Sequence, residues 1–305
     1  MSTQSTHQSS RNDVYSEITS QLIAAIEANP GKPQLPWRKS AGALFMPVNA
    51  CTKNAYNGVN ILSLWVSAEI KGFSSAVWAT YRQWSEIGAQ VRAGEKASPV
   101  IFYKEFDVGL NPDDADDDGK RRVARASRVF NASQVDGYEV KASPDPLGPV
   151  ERIAAADAFV SATGARIEQG GDRAFFRPST DHIQMPSEDD FCGTATLSRG
   201  EGYYATLLHE LTHWSGAKHR LNREFGKRFG DKAYAAEELV AEIGAAFLCA
   251  ELQITQEVRP DHAQYLAQWL EMLKSDSRAI FTAAAKASEA AAYLNRFSDR
   301  AQAAA

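Results

Sequence analysis

The eleven residues HELTHWSGAKH, from His209 to His219, limit the possible folds of this chain more than any other stretch. His209 and His213 are four residues apart, so on an α-helix their rings lie one turn apart on the same face. The apolar residues between 204 and 214 follow helical spacing and form a separate stripe. The stretch therefore predicts an amphipathic helix with two imidazoles on its polar face.

This pair of imidazoles is suited to a divalent metal ion. Zn²⁺ binds histidine nitrogen at about 2.0–2.1 Å, so we predict His209 and His213 as ligands. Glu210 is placed to take a proton from water whose pKa the metal lowers to about 7. Chance gives H-E-x-x-H in about one of a hundred such chains. Mn²⁺ or Co²⁺ could use the same ligands, because affinity alone does not select the metal.

The third metal ligand has two candidates. We expect Gly216 to end the helix in a left-handed cap. His219, which follows that turn, would complete the pattern H-E-x-x-H-x-x-G-x-x-H. That arrangement, the metzincin one, also needs a methionine turn, and the only later methionine, Met272, lies in a plain helical pattern. The favoured candidate is Glu238, which lies four residues before Glu242 on the next predicted helix. Two carboxylates at that spacing repel unless a cation is near.

The combination of H-E-x-x-H with a later E-x-x-A-E resembles the glutamate zincins. That resemblance implies Glu238 as the ligand and Glu242 as the residue that orients a ligand histidine. His219 then becomes an incidental neighbour. Glu237 points elsewhere on its helix and is expected to be solvated.

Zincins bind a peptide as an added strand at a sheet edge. The segment 181–186 predicts that edge, because Pro186 would end it. His182 could face the cleft or be merely exposed. Either Tyr203 or Tyr204 could stabilise an oxyanion, and the spacing does not choose between them.

The length of 305 residues is sufficient for two domains. We predict an α+β protein with a disordered tail over 1–10, a first domain over 11–140, a linker over 141–150 that holds three prolines, and a zincin-like domain over 151–305. Periodicity predicts helices over 13–28, 61–70, 150–163, 202–215 and 232–252, and a hairpin of strands over 99–106 and 122–135.

An acidic run lies between the two hairpin strands. Asp114, Asp116, Asp118 and Gly119 mimic the first half of an EF-hand loop. The twelfth position is Arg125, where calcium needs a bidentate Glu. We therefore interpret the run as a solvated hairpin tip.

Charge and aromatic residues are unevenly distributed. Residues 1–104 hold ten Lys/Arg and six Asp/Glu, against 23 and 32 in the remainder, and they hold four of the six tryptophans. A basic, aromatic-rich region is suited to single strands, which bind to positive grooves and aromatic platforms. The chain has no run of about 18 apolar residues, no apolar signal core and three scattered cysteines, so we expect a cytoplasmic protein with no membrane partner.

The order of motifs along nearly the whole chain resembles the ArdC-type antirestriction proteins of conjugative plasmids. The resemblance implies single-stranded DNA binding by the first domain, a zinc metallopeptidase fold in the second, and protection of incoming plasmid DNA from host restriction. Its peptidase substrate would be a protein, such as a restriction component. The matching stretches are PW (36–37), PVN (47–49), YNGVN (56–60), WATYRQW (78–84), GAQV (88–91), GEK (94–96), FNASQVDG (130–137), DHIQMP (181–186), HELTHW (209–214), RLNR (220–223) and 237–248.

Candidate DNA-binding residues combine aromatic rings, cations and amides in the first half. They are Trp37, Arg38, Lys39, Asn49, Tyr56, Asn60, Tyr81, Arg82, Trp84 and Lys96. Two alternatives stay open: a non-catalytic protein that coats single-stranded DNA and has a structural metal site, and a zinc-dependent nuclease. The nuclease is less favoured, since such enzymes usually hold two metals with carboxylates.

Replacing Trp37, Arg38 and Lys39 together by Ala should weaken binding to single-stranded DNA, because the change removes one stacking ring and two cations. Fluorescence anisotropy with a labelled oligonucleotide measures the effect. Unchanged affinity would mean that these residues are structural.

Overall fold

Helices and short strands alternate in a mixed α+β arrangement, as predicted. The computed structural model describes residues 9–28, 35, 45–107, 109, 120–139, 148–194, 197–225, 232–255 and 263–304. The helices are α1 (Ser9–Glu27), α2 (Val59–Lys71), α3 (Tyr81–Glu86), α4 (Pro149–Thr163), α5 (Arg199–Ser215), α6 (Ala233–Leu252), α7 (Ala263–Ser275) and α8 (Ala279–Ala304). The strands are β1 (Val48–Asn49), β2 (Val77–Ala79), β3 (Gln90–Val91), β4 (Ser98–Asp107), β5 (Lys120–Asn131), β6 (Val135–Asp136), β7 (Arg166–Gln169), β8 (Phe175–Arg177) and β9 (His182–Met185).

A four-stranded sheet with the order β1-β2-β5-β4 organises the first half. β4 and β5 form the predicted hairpin, with Ser98 opposite Val129 and Asp107 opposite Lys120. The predicted second strand is too long, since β5 ends at Asn131 in a 3₁₀ turn. There the Asn131 side chain accepts from the backbone N–H of Ser133. The acidic run 113–119 lies outside the described residues.

The boundaries of the predicted tail and linker differ from the structure. Helix α1 already begins at Ser9, so the tail prediction over 1–10 is wrong for its last two residues. The buried face of α1 includes Ile18, Leu22 and Ile26. Within the predicted linker, 141–147 lie outside the described residues, and α4 begins at Pro149, whose fixed φ suits a first helical turn.

Buried side chains of both halves form one continuous apolar cluster. Trp65 of α2 packs edge-on against Phe247 of α6, with ring centroids 5.8 Å apart. The backbone N–H of Gly58 donates to Ser288 Oγ of α8, and Thr19 Oγ1 of α1 donates to the carbonyl of Ser277. The two predicted domains therefore support each other's cores. None of the described helices combines the length and apolar content that a membrane crossing requires.

A three-stranded sheet with the order β7-β9-β8 lies beside α5 in the second half. The prediction that 181–186 forms a sheet edge is wrong, because β9 is the central strand. Ile183 and Met185 of β9 are fully buried, as suits a strand covered by neighbours. Among the described strands, β8 is an edge strand that also contacts α5.

Close contact between α5 and α6 depends on a glycine. A Cβ at Gly244 of α6 would lie 2.6 Å from Cγ2 of Thr212 on α5. Thr212 is fully buried and its hydroxyl donates to the Leu208 carbonyl, so it has little room to move. The small residue therefore sets the separation of the two helices that carry the candidate metal ligands.

Replacing Gly244 by Ala should destabilise the protein. We expect the free energy of unfolding of Gly244→Ala to be about 1–3 kcal/mol lower than that of Gly202→Ala, because overpacking outweighs the gain in helix propensity. Gly202 is the matched control, since its added Cβ would meet Leu197 at an ordinary 3.4 Å. Urea denaturation measures both, and equal stability would contradict the packing argument.

Candidate metal centre

Helix α5 starts from a reciprocal capping box. Ser198 Oγ accepts from the Glu201 backbone N–H, while Glu201 Oε2 accepts from the Ser198 backbone N–H. Glu201 also lies 3.1 Å from Arg152 and accepts from the Thr255 backbone N–H. These contacts anchor the start of α5 to α4 and to the end of α6, which fixes where its histidines point.

Three side chains from α5 and α6 converge at the candidate metal site. One ligand atom each from His209, His213 and Glu238 lies within 4.8 Å of the other two. The Nε2 atoms of the histidines are 3.2 Å apart, and the Glu238 carboxylate lies 3.7 Å from His209 and 3.6 Å from His213. Two nitrogens and a carboxylate oxygen at this spacing fit a cation such as zinc or manganese.

The expectation that Glu237 is solvated is wrong, because two neighbouring side chains bind its carboxylate. Its Oε1 lies 3.1 Å from His213 Nδ1, so the imidazole donates to it and turns Nε2 towards Glu238. Arg223 holds the same carboxylate through Nε at 2.8 Å and Nη2 at 2.6 Å. Burial opposes ionisation of Glu237, but Arg223 and His213 together lower its pKa. Sequence reasoning missed the contact of Arg223 with Glu237, because Arg223 lies in a loop and follows no helical spacing.

The acid cluster also determines the charge of the ligand side chains. Burial disfavours the charged imidazole of His213, but hydrogen bonds to Glu237 and Glu238 raise its pKa to about 10. Burial likewise opposes ionisation of Glu238, whereas His209 and His213 lower its pKa. Nearby positive charge therefore stabilises the ionised carboxylates of Glu237 and Glu238.

Gly216 has a different role from the predicted left-handed cap. Its φ is −78° and ψ −7°, which any residue adopts, so the cap prediction is wrong. A Cβ there would lie 2.6 Å from Arg223 Nη2. That nitrogen also donates to the Thr212 carbonyl at 2.7 Å and cannot easily retreat. Gly216 therefore makes room for the arginine that holds Glu237.

Glu242 lies behind His209. Its Oε2 is 3.8 Å from His209 Nδ1, and the Glu242 side chain is fully buried. This is the place that the glutamate-zincin resemblance implies for a supporting acid, although the separation exceeds a hydrogen bond. Both ligand histidines thus have a carboxylate on the side away from Glu238.

His219 lies outside the ligand cluster. Its side chain is 60% exposed and its Nε2 is 3.3 Å from Asp181 Oδ2. The neighbouring Arg220 forms two hydrogen bonds to the same carboxylate and stacks on Trp214 at 3.5 Å. The turn after α5 is therefore tied to the β8–β9 connection. The structure places Glu238, and not His219, beside the two imidazoles.

A cleft of about 480 Å³ opens in front of the histidines. Glu210 lines it although its side chain is largely buried. Edge strand β8 forms one wall with Phe175 and Phe176, and Tyr234 and Tyr265 form another. The two tyrosine hydroxyls are 3.3 Å apart. The position of Tyr234, four residues before Glu238, is the sequence signal that could have revealed it.

The residues proposed from sequence for oxyanion stabilisation lie elsewhere. Tyr204 is buried and its hydroxyl donates to Asp157, and the buried Tyr203 accepts from Gln169. His182 is also buried, with Nδ1 2.7 Å from Thr180 Oγ1. None of the three lines the cleft, so these expectations are wrong.

Three of the candidate DNA-binding residues are structural. Trp84 is fully buried and its indole donates to the Phe130 carbonyl. Asn60 is buried, and its amide exchanges two hydrogen bonds with the backbone of Ile101. The ring of Tyr56 is buried as well. Because a base needs an open ring face or a free amide, the predictions for these three residues are wrong.

The remaining candidates divide between exposed and undescribed positions. Tyr81, Arg82 and Lys96 are exposed, and Arg82 pairs with Glu86 at 2.8 Å. Half-buried Asn49 donates to Tyr56 and Gln83, which suggests a local structural role. The segment 37–39 lies outside the described residues.

Comparison with known proteins agrees with this organisation. A family model of the N-terminal domain of anti-restriction factor ArdC matches residues 12–135, and a zincin-like metallopeptidase model matches 154–286. Protein y4eC of Sinorhizobium fredii (strain NBRC 101917 / NGR234) is 46% identical over 288 residues, covering 93% of this chain and 92% of y4eC. The chain belongs to the ArdC antirestriction family. The predicted resemblance is thereby confirmed.

Solved structures extend the match to the whole ArdC fold. The metal-free structure of ArdC from plasmid R388 has a TM-score of 0.75 and 40% identity, over 94% of this chain and 98% of that one. The Mn(II)-bound structure has a TM-score of 0.71 and 39% identity, over 93% and 98%. DNA primase TraC of Escherichia coli is 34% identical over 94% of this chain, which spans only 27% of the primase.

Replacing Glu238 by Ala should abolish binding of Zn²⁺, since it removes one of three ligands. Glu237→Ala should weaken binding about 10- to 100-fold, because His213 loses the acid that orients it, and Glu237→Gln should weaken it less. Isothermal titration measures each affinity. His219→Ala is the matched control and should bind like the parent protein; a loss there would return His219 to the ligand set.

Proposed function

We propose that this chain is an antirestriction protein that binds single-stranded DNA and protects plasmid DNA entering by conjugation, and that its second half is a zinc metallopeptidase. The observation that carries the peptidase half is the convergence of His209, His213 and Glu238 at a cleft that Glu210 also lines. Family membership supports the protective role and the DNA-binding half.

The site favours a catalytic over a structural metal. Structural zinc sites are usually closed by four protein ligands, whereas catalytic sites have three and keep one position open. Among the described residues, the ligand group has three members and faces a cleft. Zinc is the proposed ion, and manganese and cobalt would accept the same donors.

His209, His213 and Glu238 would hold the metal, which when bound supplies positive charge to polarise a substrate carbonyl and water. Glu210 would accept a proton from the attacking water at its carboxylate and then deliver it to the departing amine. Glu237 and Arg223 keep His213 turned towards the site. The peptide carbon gains the water oxygen, and the C–N bond breaks.

Substrate binding would use the edge of β8. An edge strand can pair with an extended peptide through its outer backbone groups, and Phe175 and Phe176 give that side of the cleft an apolar wall. The paired hydroxyls of Tyr234 and Tyr265 are positioned to donate to an oxygen that becomes negative. An unfolded protein segment with apolar side chains therefore fits better than a charged peptide.

Replacing Glu210 by Gln should separate chemistry from metal binding. The change preserves side-chain size, so metal content and the free energy of unfolding should stay the same, while cleavage of an unfolded protein should fall about 10²- to 10⁴-fold. Gel analysis of casein digestion measures cleavage, and affinity for single-stranded DNA should be unchanged. Undiminished cleavage would contradict the role of Glu210.

The same variant separates peptidase action from DNA coating in cells. Transfer of a conjugative plasmid into a restricting recipient would be compared between the parent protein and Glu210→Gln. Loss of protection would tie antirestriction to proteolysis. Full protection would favour the non-catalytic alternative, in which coating of the single strand suffices.

A further inference from the structure

From Phe102 onwards, β4 exposes three aromatic rings. Phe102, Tyr103 and Phe106 are 45%, 55% and 38% exposed, and they are three of nine large hydrophobic side chains exposed in the described part of the chain. Exposed apolar groups clustered on one element mark interaction sites more often than scattered ones do. Phe102 rests on one side against Tyr56, with ring centroids 6.5 Å apart.

Cations lie on the neighbouring strand. The register pairs Phe102 with Arg125 of β5, and directly opposite residues of an antiparallel pair project to the same face. Arg125 is exposed and forms no ion pair with a described residue. β5 holds five Lys/Arg and no acid, whereas β4 holds one Lys and two acids. Phe102 and Arg125 thus place an aromatic ring and a cation side by side on one face of the hairpin.

The surroundings of the outer edge of β4 change at Ile101, where hydrogen bonds from α2 give way to an open cleft. Asn60 and Ser63 of α2 bind the backbone of this strand at Ile101 and Pro99. Beyond Ile101, a cleft of about 450 Å³ lies beside Phe102 and Tyr103. Its opposite wall comes from α8 of the second half. The polar residues that line this cleft are Asn57, Asn60 and Ser288.

We propose that single-stranded nucleic acid binds along the β4–β5 hairpin, with a base stacked on Phe102, a phosphate paired with Arg125, and a neighbouring base in the cleft between β4 and α8. The inference rests on the proposed function and locates its DNA site. It places that site away from Trp84, and it makes the second half contribute to the binding surface.

A single strand fits this surface better than other occupants. Each base has a flat face that stacks on aromatic rings, at about 1–3 kcal/mol per base, and each phosphate attracts a cation. A duplex hides its base faces, and an apolar protein partner would leave the charge of Arg125 uncompensated. The cleft volume is sufficient for a base with room for solvent.

The test measures the affinity of the full-length protein for a labelled oligothymidylate of about 16 nucleotides as salt is varied. Phe102→Ala should weaken binding roughly 5- to 100-fold through the lost stacking. Arg125→Ala should also weaken it and reduce the slope of log affinity against log salt by about 0.7. Ala285→Trp should weaken it by filling the cleft, since Ala285 is an exposed lining residue.

Matched controls lie on other surfaces. Arg166→Ala removes an exposed cation from β7, and Ala301→Trp adds an indole to an exposed position of α8 beyond the cleft. Both should bind like the parent protein. Tyr81→Ala tests the competing surface on α3 and should have the smaller effect. A duplex of the same length should bind more weakly than the single strand.

Two failures can be told apart. If the parent protein binds the oligonucleotide but Phe102→Ala and Arg125→Ala bind equally well, the hairpin site is wrong while the proposed function stands. If the parent protein does not bind at all, the DNA half of the proposed function fails with it. Because Arg125 is exposed, its variant keeps the test valid even if Phe102→Ala loses stability. An oligouridylate measured in parallel distinguishes RNA from DNA.

Discussion

The close packing of α5 on α6 is the constraint on which the metal centre depends. Gly244 lets Thr212 approach to a distance that no larger residue would allow. This contact brings Glu238 of α6 to within 3.7 Å of both histidines of α5. Packing six buried or half-buried ionisable side chains so close together would be unfavourable without compensation. They are His209, Glu210, His213, Glu237, Glu238 and Glu242. Arg223 compensates Glu237, and a divalent cation would compensate the remainder.

The centre extends further into the chain than its motif does. Glu237 orients His213, Arg223 holds Glu237, and Gly216 makes room for Arg223. Through this series of contacts the loop after α5 helps to orient His213, although Arg223 acts on His213 only through Glu237. Arg220, bound to Asp181 and stacked on Trp214, fixes the same loop to the sheet that borders the cleft. The site is thus supported from the loop as well as from the two helices.

The shared core has a consequence for DNA binding. Because α2 packs against α6 and α8, the exposed end of the β4–β5 hairpin lies next to a helix of the second half. A nucleic acid on the hairpin would therefore contact both halves. Aromatic content alone could not locate this surface, since Trp65, Trp78 and Trp84 are buried, whereas Phe102 is exposed on a strand that also holds the buried Val100 and Ile101.

The sequence by itself determined the two helices of the candidate metal centre, the position of the two histidines one turn apart on the first of them, and the hairpin, because local spacing fixes which side chains share a face. It favoured Glu238 over His219 only through a motif. Tertiary structure decided the role of Glu237, the central position of β9, and the burial of Trp84 and Asn60. Those depend on contacts between residues distant in the chain, and helical or strand periodicity carries no information about what lies opposite a face.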